Sequence, residues 1–273
     1  MGLIEKRLGE LTYMISPNIS VSHAFTTRYG GHSKGIYESL NFAFRGGDDY
    51  DTVRSNYEVI CKMLGISVDD LVRVNQVHGC SVRVVDNNNR GRLYDYGTPE
   101  GDAMITNERG LALIVYAADC VPILLYDVEK RVVGAIHAGW RGTAADVAGA
   151  TVRKMSEEYA CSPMNITAAI GPSISRCCFE TGADVAEALG FIKEHCQREH
   201  KDEGVSAQDS FVVYKNRKFF IDLKEANRLL LTAAGVRDIV VSDECTYCSY
   251  QKYWSHRKTK GIRGTQAAII VIK

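Results

Sequence analysis

The sequence predicts an α+β fold with two sheets and helices outside them. Three observations carry this. "LALIVYA", "PILLYD" and "RVVGAIHA" are near-continuous apolar runs of strand length, the pattern of strands covered on both faces. Strand-like and helix-like segments mix without strict βα alternation, which reads as α+β. No Pro-, Gly- or Ser-rich linker divides the 273 residues, so residues 1–273 are expected to form a single domain.

Each element has its own signal. Residues 21–26 read as a short strand before a loop rich in Gly, Ser, Thr and Tyr. Val53, Tyr57, Ile60, Met63 and Leu64 fall at helical spacing, and Gly65 stops the helix. "LVRVNQVHG" and "SVRVVD" alternate like two strands around a turn at Gly79. After the three apolar strands, "GTAADVAGATVRKMSEEY" reads as one helix, with small residues first and charge later. "NITAAIGP" is a strand ended by Gly-Pro, and a helix is expected around residues 184–195. The polar "CQREHKDEGVSAQDS" reads as an exposed loop or a partly helical stretch. "FVVYKNRKFFIDL" looks like a hairpin, and Asp222 caps a helix that ends at Gly235. "DIVVSD" and "TQAAIIVIK" are late strands.

Composition narrows the function classes. Hydrophobic residues make up 45% and charged residues 24%, ordinary for a globular protein in water. Lys and Arg number 33, as do Asp and Glu, so a zero net charge favours neither nucleic acid nor an anionic membrane as partner. The N-terminal segment has no long apolar run, and no apolar window approaches spanning length. Nine irregularly spaced cysteines read as mostly free thiols in a reducing compartment, and the expected location is the cytoplasm.

Three segments deliver a metal-competent side chain at or near a strand end: His78 in "NQVHG", Cys120 in "AADCVP" and His137 in "AIHAGW". One thiolate and two imidazoles suit Zn²⁺ and leave a fourth position open, the catalytic pattern. The same residues support two other readings: satisfied core groups, or a Cys–His hydrolase with Cys120 as nucleophile. Asp102 in "GDAMIT" and Asp119 beside Cys120 could orient a histidine or move a proton, or simply cap turns. Arg141 could clamp phosphate and Trp140 could cover a base, and Arg28 in "TTRYGG" is a second candidate anion clamp. The bland alternatives are a packed Trp140, a carboxylate-paired Arg141 and a solvated Arg28. Cys245-Thr-Tyr-Cys248 has C-x-x-C spacing without a second such pair, and the vicinal Cys177 and Cys178 read as packing.

These segments occur in one order: "FTTRYGGHSKGIYESLNFAFRGGDD", "NQVHG", "GDAMIT", "ADCVPILLYD", "HAGWRGT", "IGPSISRCCFE" and "ECTYCSYQKYWSHRK". Together they resemble the YfiH family, also called the laccase-domain or polyphenol oxidase family, from about residue 25 onwards. The pairing of "HAGWRGT" with "ADCVPILL" is highly specific. The resemblance implies a layered α/β/β/α domain and a zinc site on His78, Cys120 and His137. It also implies phosphorolysis of adenosine, inosine and methylthioadenosine to base and sugar 1-phosphate, and deamination of adenosine. An amidase acting on a cell-wall precursor is an activity also associated with bacterial relatives. The chain departs from the family pattern at Ser255-His256-Arg257-Lys258 and "GIRGTQ", where relatives carry Ser-Tyr-Arg-Arg and Gly-Arg, which leaves open the role of position 256 and any transfer to Arg257 or Arg263. A multicopper laccase is disfavoured, because the chain has seven histidines and no His-x-His. Cu²⁺ could still bind adventitiously at the zinc site. The expected partners are therefore purine nucleosides and phosphate, with Arg28, Arg141 and Trp140 around them and Asp102 or Asp119 moving protons.

Overall fold

The N-terminal residues form a hairpin that charge conceals in the sequence. In the computed structural model, which describes residues 2–44, 46–95, 97–190 and 211–273, β1 (Ile4–Leu8) and β2 (Leu11–Ile15) pair antiparallel around Gly9. Every residue of β1 is exposed, and Glu5, Lys6 and Arg7 give the sheet a charged edge that resists pairing with another chain. β3 (Ser22–Thr26) follows where a strand is expected. Helix α1 (Tyr50–Leu64) starts at Asp49, whose carboxylate accepts the Thr52 N–H, and stops at Gly65 in the left-handed region. Its buried face includes Val53, Tyr57, Ile60 and Leu64, as the spacing predicts.

β4 (Leu71–Val72) and β5 (Val82–Val84) are not partners across a turn at Gly79; they lie in different sheets. The reason is local, since the amides of residues 77–79 fold onto the Asp102 carboxylate instead of closing a hairpin. β6 (Ala103–Thr106), β7 (Ala112–Ala117), β8 (Val121–Asp127) and β9 (Val132–Ala138) come next. β8 and β9 pair along their whole length. The buried Asp127 closes their turn by accepting the N–H groups of Glu129 and Lys130, each at 2.9 Å.

The single helix expected after β9 is two: α2 (Trp140–Ala144) and α3 (Val147–Tyr159). Asp146 takes left-handed dihedrals (φ 57°, ψ 46°), breaks the path and caps α3 by accepting the Gly149 N–H. A β-carbon at residue 149 would sit 2.5 Å from Asp146 Oδ2, so the cap closes only over glycine. β10 (Ile166–Ile170), β11 (Glu180–Thr181) and α4 (Ala183–Ala188) follow. The remainder of the helix expected to residue 195, and the whole of the polar stretch after it, lie outside the described residues. β12 (Val212–Lys215) and β13 (Lys218–Ile221) make the expected hairpin, with Asn216 and Arg217 both at positive φ in its two-residue turn. Asp222 caps α5 (Leu223–Ala233) by accepting the Glu225 N–H. β14 (Asp238–Val241), α6 (His256–Thr259) and β15 (Gln266–Val271) complete the described elements.

The first sheet has the order β1-β2-β3-β15-β7-β4 and the second β14-β10-β8-β9-β6-β5, with a small β11-β13-β12 sheet beside them. Val115, Ile270, Leu124 and Val133 belong to one core between the two large sheets. Alternate residues of the same strands, Ile114 and Ile269, pack outward against Tyr57 and Ile60 of α1. On the other side, Ile123 and Ile136 meet Val152 and Met155 of α3 and Leu230 of α5. The layers are α/β/β/α, and strands buried on both faces explain the near-continuous apolar runs. Among the described residues, no helix is long and apolar enough to cross a membrane.

Candidate active site

Antiparallel pairing of β6 with β9 sets Ala103 opposite Ile136 and so brings Asp102, just before β6, beside His137 near the end of β9. Asp102 is fully buried, and its Oδ1 lies 2.9 Å from His137 Nδ1. The same carboxylate accepts the backbone N–H groups of His78 at 2.9 Å and Gly79 at 2.7 Å. Burial alone would raise Asp102, but the hydrogen bonds from His137 and the Gly79 amide outweigh it and hold the carboxyl below its ordinary range. His78 is thereby held at φ 61°, an uncommon conformation for a residue with a side chain.

Cys120 precedes β8, and its Sγ lies 3.8 Å from His78 Nε2. One ligand atom each from His78, Cys120 and His137 falls within 4.8 Å of the others. Burial works against a thiolate at Cys120, but His137 and His78 outweigh it and bring the thiol down to about 6. Burial likewise works against a charged imidazole, yet the neighbouring thiolate and Asp102 raise His137 to about 9. The sulfur is therefore the anion that metals and electrophiles take.

The glycines of "HAGWRGT" serve close approach rather than conformational freedom. Gly139 has φ −71°, open to any residue, but a β-carbon there would lie 2.8 Å from His78 Cδ2 and 3.3 Å from Cys120 Sγ. A β-carbon at residue 142 would lie 2.8 Å from the Gly79 carbonyl oxygen.

His78 and Cys120 open onto a cavity of about 250 Å³ whose other walls include Asp119, Ile174, Phe179, His256, Arg257 and Arg263. Asp119, at φ 85°, accepts the Thr246 hydroxyl at 2.7 Å on one oxygen and the Arg257 N–H at 2.6 Å on the other. Arg263 Nε donates to His256 Nδ1 at 3.3 Å, so the neutral His256 ring carries its proton on Nε2. Burial, followed by the charge of Arg263, lowers His256 below its ordinary range and favours that neutral ring.

The structure thus brings together His78, Asp102, Asp119, Cys120 and His137. Arg28, Arg141 and Trp140 do not line this cavity. Arg28 donates twice to the Glu38 carbonyl and once to that of Tyr250, and its guanidinium lies 3.9 Å from the centre of the Trp254 ring. Arg141 is exposed and lies 4.2 Å over the ring of Trp140, which packs against the outer core of the second sheet. His256, Arg257 and Arg263 are the residues that motif reading passed over. The departure from the family pattern around them marked a difference but no role, and only the fold carries them to the cavity.

A family model described as multi-copper polyphenol oxidoreductase laccase matches residues 22–273. A purine nucleoside phosphorylase of Deinococcus radiodurans is 37% identical over 260 residues, covering 95% of this chain and 92% of that protein. An adenosine deaminase from an unknown prokaryotic organism is 37% identical over 243 residues, covering 85% and 87%. The crystal structure of YlmD from Geobacillus stearothermophilus matches with a TM-score of 0.89 and 33% identity over 99% of both chains. With the layers, the His–Cys–His triad and a match over nearly the whole sequence in agreement, the chain belongs to the YfiH, or laccase-domain, family.

Proposed function

We propose that the protein is a zinc-dependent purine nucleoside phosphorylase acting on adenosine, inosine and methylthioadenosine. Adenosine deamination is assigned to the same site, and residues 1–273 to one catalytic domain. The observation that carries this reading is that two members of a metal-competent triad, His78 and Cys120, line one small cavity together with two arginines. Relatives named for both activities support it.

His78, Cys120 and His137 would hold the zinc, and two nitrogens with one thiolate are a donor set that fits it. Zinc held there supplies a Lewis acid. The rest falls to the chain. Asp102 keeps the His137 proton on Nδ1, which leaves the Nε2 lone pair for a ligand role. Arg257 and Arg263 present positive charge to phosphate, the role expected earlier of Arg28 and Arg141. Burial already disfavours the charge on Arg263, so an anion beside it gains more than one at an open surface. His256 Nε2–H is a donor for the purine or the ribose. Phe179 and Ile174 give the base an apolar wall and keep water out. Asp119, with both oxygens engaged, positions the Arg257 backbone. Free thiols among the described cysteines suit a cytoplasmic setting. Among the described residues the triad is the one metal-competent group that contains histidine, too few ligands for a multicopper centre.

Incubation with inosine, with and without phosphate, tests this reading alongside elemental analysis. Phosphate-dependent release of hypoxanthine, lost in His137→Ala, is the expected result. No turnover of inosine or adenosine by zinc-loaded protein would overturn it. A second reading, a Cys–His amidase acting on a cell-wall precursor, draws on the 3.8 Å between Cys120 Sγ and His78 Nε2. It requires alkylation of Cys120 by iodoacetamide without prior metal removal, and amide hydrolysis that chelators leave intact.

A further inference from the structure

The C-x-x-C pair that lacked a second pair in the sequence finds one in space. The loop after β10 and the segment after β14 run side by side, joined by a bridge between Ser173 and Cys245 and by the Thr246 N–H donating to the Ser173 carbonyl at 3.0 Å. That docking brings the vicinal Cys177 and Cys178 against Cys245 and Cys248. One sulfur from each lies within 4.8 Å of the others. Cys248 Sγ is 3.4 Å from Cys178 Sγ and 3.7 Å from Cys177 Sγ.

These separations discriminate between the things four cysteines can do. A disulfide needs sulfurs at about 2.05 Å, and both measured pairs are far from bonded. An iron–sulfur cluster sets several iron and sulfide atoms between its thiolates and needs a wider cage. A single tetrahedral ion with Zn–S bonds of about 2.3 Å sets its four sulfurs about 3.8 Å apart, close to the 3.4 and 3.7 Å of the two pairs at Cys248 and inside the 4.8 Å that encloses all four.

We propose that Cys177, Cys178, Cys245 and Cys248 form a second, structural zinc site with four thiolate ligands, separate from the His78–Cys120–His137 triad. The protein supplies what such a site needs. The Ser175 N–H donates to Cys245 Sγ at 3.4 Å. Backbone donors aimed at a thiolate stabilise its negative charge and fix its direction. Lys224, 4% exposed, holds the segment in place by donating to the carbonyl of Glu244, the residue before Cys245, at 2.9 Å. With four protein ligands the site is closed, so its work is mechanical. It ties the loop carrying Ile174 and Phe179 to the segment carrying Thr246, which hydrogen-bonds Asp119. Two walls of the catalytic cavity are thereby fixed from outside it.

Metal stoichiometry tests the proposal without any assay of turnover, so its outcome is independent of the reaction assigned above. Protein purified under reducing conditions and dialysed against zinc is expected to hold two equivalents per chain. His78→Ala/His137→Ala keeps one, and Cys245→Ser/Cys248→Ser keeps one. Cobalt replacing zinc in the histidine double variant gives the intense thiolate-to-metal charge-transfer bands of an all-sulfur tetrahedral site. Should either variant fail to fold, the wild-type count and the wild-type cobalt spectrum decide the matter. One equivalent in wild type, with no all-sulfur cobalt signature, overturns the proposal. A disulfide among these four residues in the reduced, zinc-dialysed protein, detected by mass spectrometry, overturns it as well.

Discussion

Asp102 accepts N–H groups from consecutive residues of one loop and pairs with the His137 ring, so one side chain sets the backbone of His78 and the ring of His137. Asp102→Asn keeps the volume but turns one acceptor oxygen into a donor facing these amides. Zinc affinity at the triad is expected to fall by roughly 10- to 100-fold, the usual cost of losing a group that orients a ligand. Competition with a chromophoric chelator measures it, and an unchanged affinity would sink the assignment. The grouping of His78, Cys120 and His137 was legible at this scale because each stands inside a specific motif, although His78, expected at or near a strand end, lies in the loop between β4 (Leu71–Val72) and β5 (Val82–Val84). Arg257 and Arg263 were not, since only the fold carries them to Cys120. The roles of Gly139 and Gly142 were half legible: a tight corner was evident, but the crowding of His78 and the Gly79 carbonyl needs three dimensions.

At the scale of the element, the misread stretches share a cause: a carboxylate overrode a periodic pattern. Alternation around Gly79 suggested a hairpin, and Asp102 took the amides that would have closed it. The run after β9 suggested one helix, and Asp146 divided it in two. Asp146→Ala removes the cap of α3 and places a β-carbon residue without local hydrogen bonding in the left-handed region. The expected loss of stability is about 1–3 kcal/mol. Asp146→Asn keeps the acceptor and tolerates those dihedrals, so it should cost well under half as much. Urea midpoints of both variants check the ordering, and equal losses would count against the capping account. β1 stayed hidden for a different reason: a fully exposed charged edge strand buries nothing, so its sequence carries no apolar alternation.

For the whole molecule, the cover on both faces of the central strands followed from the long apolar runs, while the α/β/β/α order of layers was what the family resemblance implied. Its stability should also depend on pH through His23, which is buried in β3 of the first sheet. His23 Nε2 accepts the Ser16 N–H at 2.7 Å and Nδ1 lies 2.8 Å from the Val21 carbonyl, a pairing that suits only the neutral ring. Burial, opposed by these backbone contacts, lowers its pKa below the ordinary 6.5. The unfolded chain therefore binds the proton more readily. This contribution is whole above pH 6.5 and is lost as pH falls toward the depressed native value. The stability gap between wild type and His23→Asn should narrow on acidification below that point, as urea unfolding at several pH values would show. A constant gap would mean that the ring does not titrate.

Strand order has a further consequence for how the chain is made. β15 is the last strand in sequence, yet it lies in the interior of the first sheet, hydrogen-bonded to β3 on one side and β7 on the other. During synthesis on the ribosome, β3 and β7 must therefore wait with open, unpaired edges until residues 266–271 emerge. Until then the two half-sheets stand without their keystone, the interval in which a chaperone has most to shield.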